Sequence, residues 1–354
     1  MTPRSAWART FVLLAIVLDI PVLARIVRAL TPEPWVETLD LDGVPIELVR
    51  PAREGQWPAF HFVNGAHPER RQEPIVQRVT HGLARAGFVV ALPDLPGLGD
   101  GELTPRTFAA ARAVTQLVAD RPDVRDGQVA VAGVSAGAGI ALVTAADERL
   151  AGRVSVVAAV VPFADIERIA CLATTSQYER NGTFEHFEVT ALMRRVVARS
   201  LVTALPTGDD RSALLSLLRA QDPDAVDALL CLAEPGRELG AEAHSVVELL
   251  LNDDPERFRD LYRALPLELV QRLRSLSPAE CAAGVRAPVE AIAPPDDPYF
   301  PLPEAEAIVA LVADGRLTVT RVLDHTRPSL ALSHMGEFTR FLGWVRRCLG
   351  TAAA

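Results

Sequence analysis

The sequence predicts an α/β domain, a mostly parallel sheet flanked by helices and interrupted late in the chain by an all-helical insertion. Three observations carry that reading. An all-apolar run at 88–92 and nearly all-apolar runs at 128–134 and 154–161 have the mark of central strands buried on both faces. Helical periodicity separates them, as at 74–86, where Ile75, Val76, Val79 and Leu83 recur on one face. Between about 165 and 285 the strand signal disappears into Leu-, Ala- and Val-rich helical segments, and it resumes only at 288–292 and 317–323.

Residues 10–24 form an apolar stretch between Arg4 and Arg9 on one side and Arg25 and Arg28 on the other. It is shorter than the ~20 residues of a simple spanning helix, and Asp19 and Pro21 interrupt it. Three readings stay open: membrane contact through residues 8–30, a helix packed on the domain, and a cleaved signal ending near Val22-Leu23-Ala24. Membrane association is ranked ahead of a cytoplasmic or secreted location.

The first strands, 36–41 and 45–49, flank Asp42-Gly43, a hairpin signal, so the sheet is not purely parallel. The third, 59–63, ends in Asn64-Gly65-Ala66-His67, and Gly87 stops the helix that follows. Residues 108–119 are helical again. In the insertion, Asp222-Pro223 and Asp254-Pro255 each place a capping carboxylate before a proline suited to the first helical turn. Ser277-Pro278-Ala279-Glu280 reads as a capping box whose helix ends at Gly284. A helix at 304–313 separates the last two strands, and one at 336–348 closes the chain. The expected organisation is an N-terminal apolar helix (1–33), a core (34–165 and 286–354) and a helical cap (166–285).

The 354 residues carry a formal charge of −9 and no basic tract interleaved with aromatics, so nucleic acid is not an expected partner. The chain contains no lysine. Schiff-base chemistry, a Ser-Lys pair and a phosphate-loop lysine all need an amine, and a guanidinium cannot replace it. The four cysteines, Cys171, Cys231, Cys281 and Cys348, are far apart and suggest scattered thiols, with no zinc spacing. No metal or organic cofactor is implied, and the oligomeric state is left open.

Gly133-Val134-Ser135-Ala136-Gly137 follows an apolar strand and precedes an apolar helix. A nucleophile on so sharp a strand-to-helix turn needs small neighbours, and the helix start offers N–H groups to developing negative charge. The dinucleotide-loop alternative fails, because Leu142 stands where a third glycine is required. These residues resemble the α/β-hydrolase family over roughly 36–165 and 286–349. The resemblance implies a nucleophile, acid, histidine order. It makes Ser135 the nucleophile and Asp297, in Asp297-Pro298-Tyr299-Phe300-Pro301, the acid, with Asp296 as rival. His325 is the base, with His334 as alternate. It also implies backbone oxyanion donors at Ala136 and Ala66, although the family often has His-Gly where this chain has Asn64-Gly65. His67 to Arg71 and the cluster Thr174, Thr175, Ser176 and Tyr178 are further candidates to touch substrate. The expected partner is a small-molecule acyl substrate, a carboxylic ester with an apolar part being favoured. An acyltransferase and an idle scaffold are the alternatives.

Overall fold

A computed structural model describes residues 5–225, 227–236, 238–325, 327–328 and 335–354. The chain opens with two helices, α1 (Ala6–Val17) and α2 (Pro21–Leu30), and an antiparallel pair, β1 (Trp35–Leu41) and β2 (Val44–Arg50). It continues through β3 (Trp57–Val63), α3 (Pro74–Arg85), β4 (Val89–Pro93), α4 (Pro105–Ala119), β5 (Val124–Val134), α5 (Ala136–Ala145) and β6 (Val154–Val160). An insertion comes next: α6 (Ile166–Thr175), β7 (Gln177–Arg180), β8 (Thr183–His186), α7 (Ala191–Ala204), α8 (Asp209–Ala220), α9 (Ala241–Leu250), α10 (Pro255–Ala264) and α11 (Leu267–Arg274). The core then resumes with β9 (Val289–Ala293), α12 (Leu302–Leu311), β10 (Gly315–Val319) and α13 (Met335–Thr351).

Eight strands form one sheet in the order β1-β2-β4-β3-β5-β6-β9-β10, antiparallel at the β1-β2-β4 end and parallel from β4 onward. Strand alternation divides its side chains between two layers. Phe60, Phe62 and Ala130 face α1, α3 and α13, whereas Val63, Val131, Val157 and Ala159 face α5 and the insertion. All the strand-to-helix turns of the parallel part lie at one edge, where such sheets place their ligands.

Membrane association, ranked first from sequence, is not supported: among the described residues no helix is long and apolar enough to cross a membrane. The apolar stretch breaks at Asp19, whose φ is 46°, and Pro21 starts a second helix. Residues 12–17 are buried, and α1 lies against both α3 and α13. A Cβ on Gly82 of α3 would come within 2.9 Å of Leu13 Cδ1, which shows how closely α1 crosses α3 there.

The insertion is not all-helical. β7 and β8 pair as a hairpin turned by Asn181 and Gly182, at φ 52° and 80°. An Asn-Gly turn with both residues in the left-handed region suits two-residue hairpins, and the dipeptide was the available signal. Two expected helix starts also fail. Asp222 takes Asp224 N at 2.9 Å in a turn, so its carboxylate caps no helix there. Ser277 opens only short 3-10 turns, because its hydroxyl caps α6 instead, accepting from Ile166 N at 2.9 Å. Asp254 does cap α10, taking the N–H groups of Glu256 and Arg257.

Candidate active site

Ser135 stands between β5 and α5 at φ 56° and ψ −123°, a conformation costing a non-glycine residue about 1–3 kcal/mol. The crowding around it explains its neighbours. A Cβ on Gly133 would lie 2.2 Å from Gly137 O, and one on Gly137 would lie 2.3 Å from Asn64 O. The turn is therefore closed to larger residues two positions away on either side. Ser135 N donates to Val160 O at 2.8 Å, which fixes the elbow to the end of β6.

Asp297 lies past the end of β9 with its side chain fully buried. One carboxylate oxygen accepts from Tyr299 N and Phe300 N, both at 2.9 Å. The carboxylate also faces His325 Nδ1, at 2.9 Å from Oδ2 and 3.1 Å from Oδ1. A carboxylate can only accept, so Nδ1 carries the proton and Nε2 is left as the basic nitrogen. Tyr299 packs on the imidazole with ring centroids 4.3 Å apart. Its rival Asp296 has an 80% exposed side chain and faces Arg321 at 3.5 Å. His334 lies outside the described residues.

Ser135 and His325 line one cavity of about 460 Å3, within the range of small-molecule sites. Ala136 and Ala66 line it too. Ala136 is the first residue of α5, where a helix has no carbonyl of its own to offer the N–H. The loop carrying Ala66 is held by Asn64, whose Oδ1 accepts from Gly65 N and whose Nδ2 donates to Arg70 O, both at 2.8 Å. Asn64 thus clasps both ends of the loop, which accounts for an asparagine at that position. The wall facing the elbow comes from the insertion, with Ile166 and Ile169 of α6 and Met193 and Val197 of α7.

Of the other sequence candidates, His67 reaches the cavity, while Arg70 and Arg71 turn to Asp100 and Asp94. The cluster at the end of α6 does not line the cavity. The hydroxyls of Thr174 and Thr175 bond backbone carbonyls of their own helix, and Ser176 ends it at φ 57°. Tyr178 instead donates to Glu304 Oε1 at 2.9 Å. Glu304 was not found from sequence. Fully buried on α12, it also accepts from Ala164 N at 2.7 Å, Asp165 N at 3.1 Å and Arg168 Nε at 2.7 Å. It ties the base of the insertion to the helix that follows the Asp297 loop.

The cysteines are free, and burial pushes the thiols of Cys171 and Cys281 up to about 11, well away from a reactive thiolate. Among the described residues no cluster of His, Cys, Asp and Glu is arranged to hold a metal ion.

A profile of the family described as X-Pro dipeptidyl-peptidase (S15 family) matches residues 40–228, just over half of the chain. Among solved structures, the chain is similar to a 2,6-dihydroxy-pseudo-oxynicotine hydrolase, with 14% identity over 92% of this chain and 72% of that one and a TM-score of 0.51. It is also similar to an acylaminoacyl peptidase in complex with Z-Gly-Gly-Phe-chloromethyl ketone. Identity there is 11% over 89% of this chain and 40% of that one, with a TM-score of 0.50. Est1E from Butyrivibrio proteoclasticus shares 15% identity over 88% of this chain and 96% of that one, with a TM-score of 0.48. At these identities the likeness is one of fold. No curated protein matches the chain in sequence.

Proposed function

The chain belongs to the S15 peptidase family, serine hydrolases of α/β-hydrolase fold, and from that premise we propose that Ser135, His325 and Asp297 act as a catalytic triad. In this reading His325 Nε2 takes the Ser135 proton as Oγ attacks an acyl carbonyl. Asp297 holds the imidazole with Nδ1 protonated and stabilises the imidazolium that forms. The N–H groups of Ala136 and Ala66 receive the oxyanion, each such donor being worth about 3–4 kcal/mol in the transition state. The protonated His325 then delivers its proton to the leaving group. Water attacks the acyl-Ser135 by the same steps in reverse order.

The single observation that supports this most is the contact of His325 Nδ1 with Asp297, 2.9 Å long, made by an imidazole that lines the same cavity as Ser135. The substrate proposed is a carboxylic ester or related acyl compound with an apolar portion, because the insertion presents Ile166, Ile169, Met193 and Val197 to it. We propose that the insertion serves as a cap in that sense. The family description names a dipeptidyl-peptidase, which makes a peptide amide the second reading.

The test is pre-steady-state hydrolysis of 4-nitrophenyl acetate beside a Gly-Pro-4-nitroanilide. A burst of nitrophenol equal to the protein concentration, absent from Ser135→Ala, is the expected sign of an acyl-enzyme. Faster turnover of the anilide at equal concentration would replace the ester reading with the peptide one. No burst and no turnover of either would contradict the proposal.

A further inference from the structure

Behind the sheet edge that carries Ser135 lies a second cavity, of about 150 Å3, between the sheet and the layer of α1, α3 and α13. Leu13 and Val17 of α1, Val79 of α3 and Trp344 of α13 face it from the helices. The sheet leaves room for it at one place. Ala132 and Ala158 are register partners on β5 and β6, and both line the cavity, so two adjacent positions present only methyl groups. The next register pair toward the elbow, Val134 and Val160, lines it as well.

This space adjoins the nucleophile. Val134, the residue before Ser135, lines both cavities, as do Asn64 and Glu73. Leu323, two residues before His325, stands on the second cavity's wall. Protein interiors hold few voids larger than a water molecule. An apolar cavity of about 150 Å3 has room for a hydrocarbon of about six carbons.

We propose that this cavity is an acyl-chain subsite, in which the aliphatic tail of a medium-chain acyl substrate runs past Val134 while its carbonyl lies at Ser135. The inference rests on Ser135 being the nucleophile. Under it, the N-terminal apolar stretch acquires a role: α1 is the roof of the subsite. The chemistry that fits is a linear saturated chain, since the walls offer mostly methyl, methylene and ring surface, and the carboxylate of Glu73, which lines both cavities, disfavours a second anionic group.

The test uses the whole protein with 4-nitrophenyl esters from acetate to dodecanoate. The expected result is a rise in kcat/KM of about fourfold per methylene entering the cavity, over a run of about six carbons, followed by a plateau. Ala158→Leu on the sheet wall and Val79→Phe on the helix wall are each expected to lower the ratio of longest to shortest ester at least tenfold. A flat series, or a ratio that survives both substitutions, overturns the subsite. A second measurement needs no turnover: calorimetric titration of Ser135→Ala protein with octanoate and with acetate. Octanoate binding that is lost on adding Val79→Phe supports the subsite, and its absence overturns it even where esters are cleaved. Octanoate binding in a protein that cleaves no ester keeps the cavity as a binding site and overturns the reading of Ser135 instead.

Discussion

At the edge of the sheet His325 donates its Nδ1–H to the Asp297 carboxylate, whereas in the middle of the sheet His61 donates the same N–H to the Thr115 hydroxyl. The Thr115 hydroxyl donates to Ala111 O at 3.0 Å, so its lone pair receives His61 Nδ1–H at 2.8 Å. Both rings therefore keep Nε2 as the free base. The surroundings differ. His325 borders a cavity of about 460 Å3 and has a carboxylate beside it. His61 is fully buried, its Nε2 has no hydrogen-bond partner among the described residues, and burial holds its pKa down to about 3. A hydroxyl partner orients an imidazole but cannot balance an imidazolium, and only a charged partner beside open space can do both. Position on the sheet, rather than residue type, separates an imidazole that borders a cavity beside a carboxylate from one that burial keeps neutral.

The two histidines should differ most in kinetics. His325→Ala is expected to cost about 10^5–10^6-fold in kcat, while His61→Gln changes kcat less than threefold; equal losses in the two variants would erase the distinction. Asp297→Asn should keep the geometry and favour the wrong tautomer, lowering kcat about 10^4-fold. Asp296→Asn, at the exposed neighbour, should change it less than twofold.

The next effect is on stability. Glu304→Ala leaves Tyr178 OH and the Ala164 and Asp165 N–H groups without their buried acceptor, and a loss of about 3 kcal/mol in chemical unfolding is expected. Its kinetic signature is a raised KM, because the α6 residues it anchors line the cavity. A loss confined to kcat, with KM and stability untouched, would contradict this role.

The smallest effect is the pH dependence contributed by His61. Its folded pKa lies below the ordinary value, so the unfolded chain binds the extra proton first. The contribution to stability is complete above about pH 6.5 and is lost progressively as pH falls toward 3. Between pH 6.5 and 5 the loss is about 2 kcal/mol, measurable by urea unfolding, and His61→Leu should flatten that limb.

What could be read in the sequence follows from how local each constraint is. The elbow was legible because Gly133 and Gly137 are each forced by contacts within a few ångströms of Ser135. The parallel strands were legible because burial on both faces leaves mainly apolar runs. Glu304 was not, since its partners lie 126 to 140 residues away and nothing beside it in the chain marks them. Ser277 misled for the same reason: its local pattern names a cap, and its hydroxyl serves a helix that begins 111 residues earlier. The hairpin of β7 and β8 was a local signal passed over, because Asn181-Gly182 lay in a stretch otherwise helical in composition. The N-terminal stretch was ambiguous in principle, since apolar residues packed on α3 and α13 look the same as apolar residues facing lipid.

An activated Ser135 is best tested by labelling the purified protein with a fluorophosphonate, followed by peptide mapping, in wild type, Ser135→Ala and His325→Ala. One adduct at Ser135 is expected, absent in the first variant and formed at least a thousandfold more slowly in the second. Labelling that persists without His325, or a folded wild type that does not label, would contradict an activated serine at this elbow.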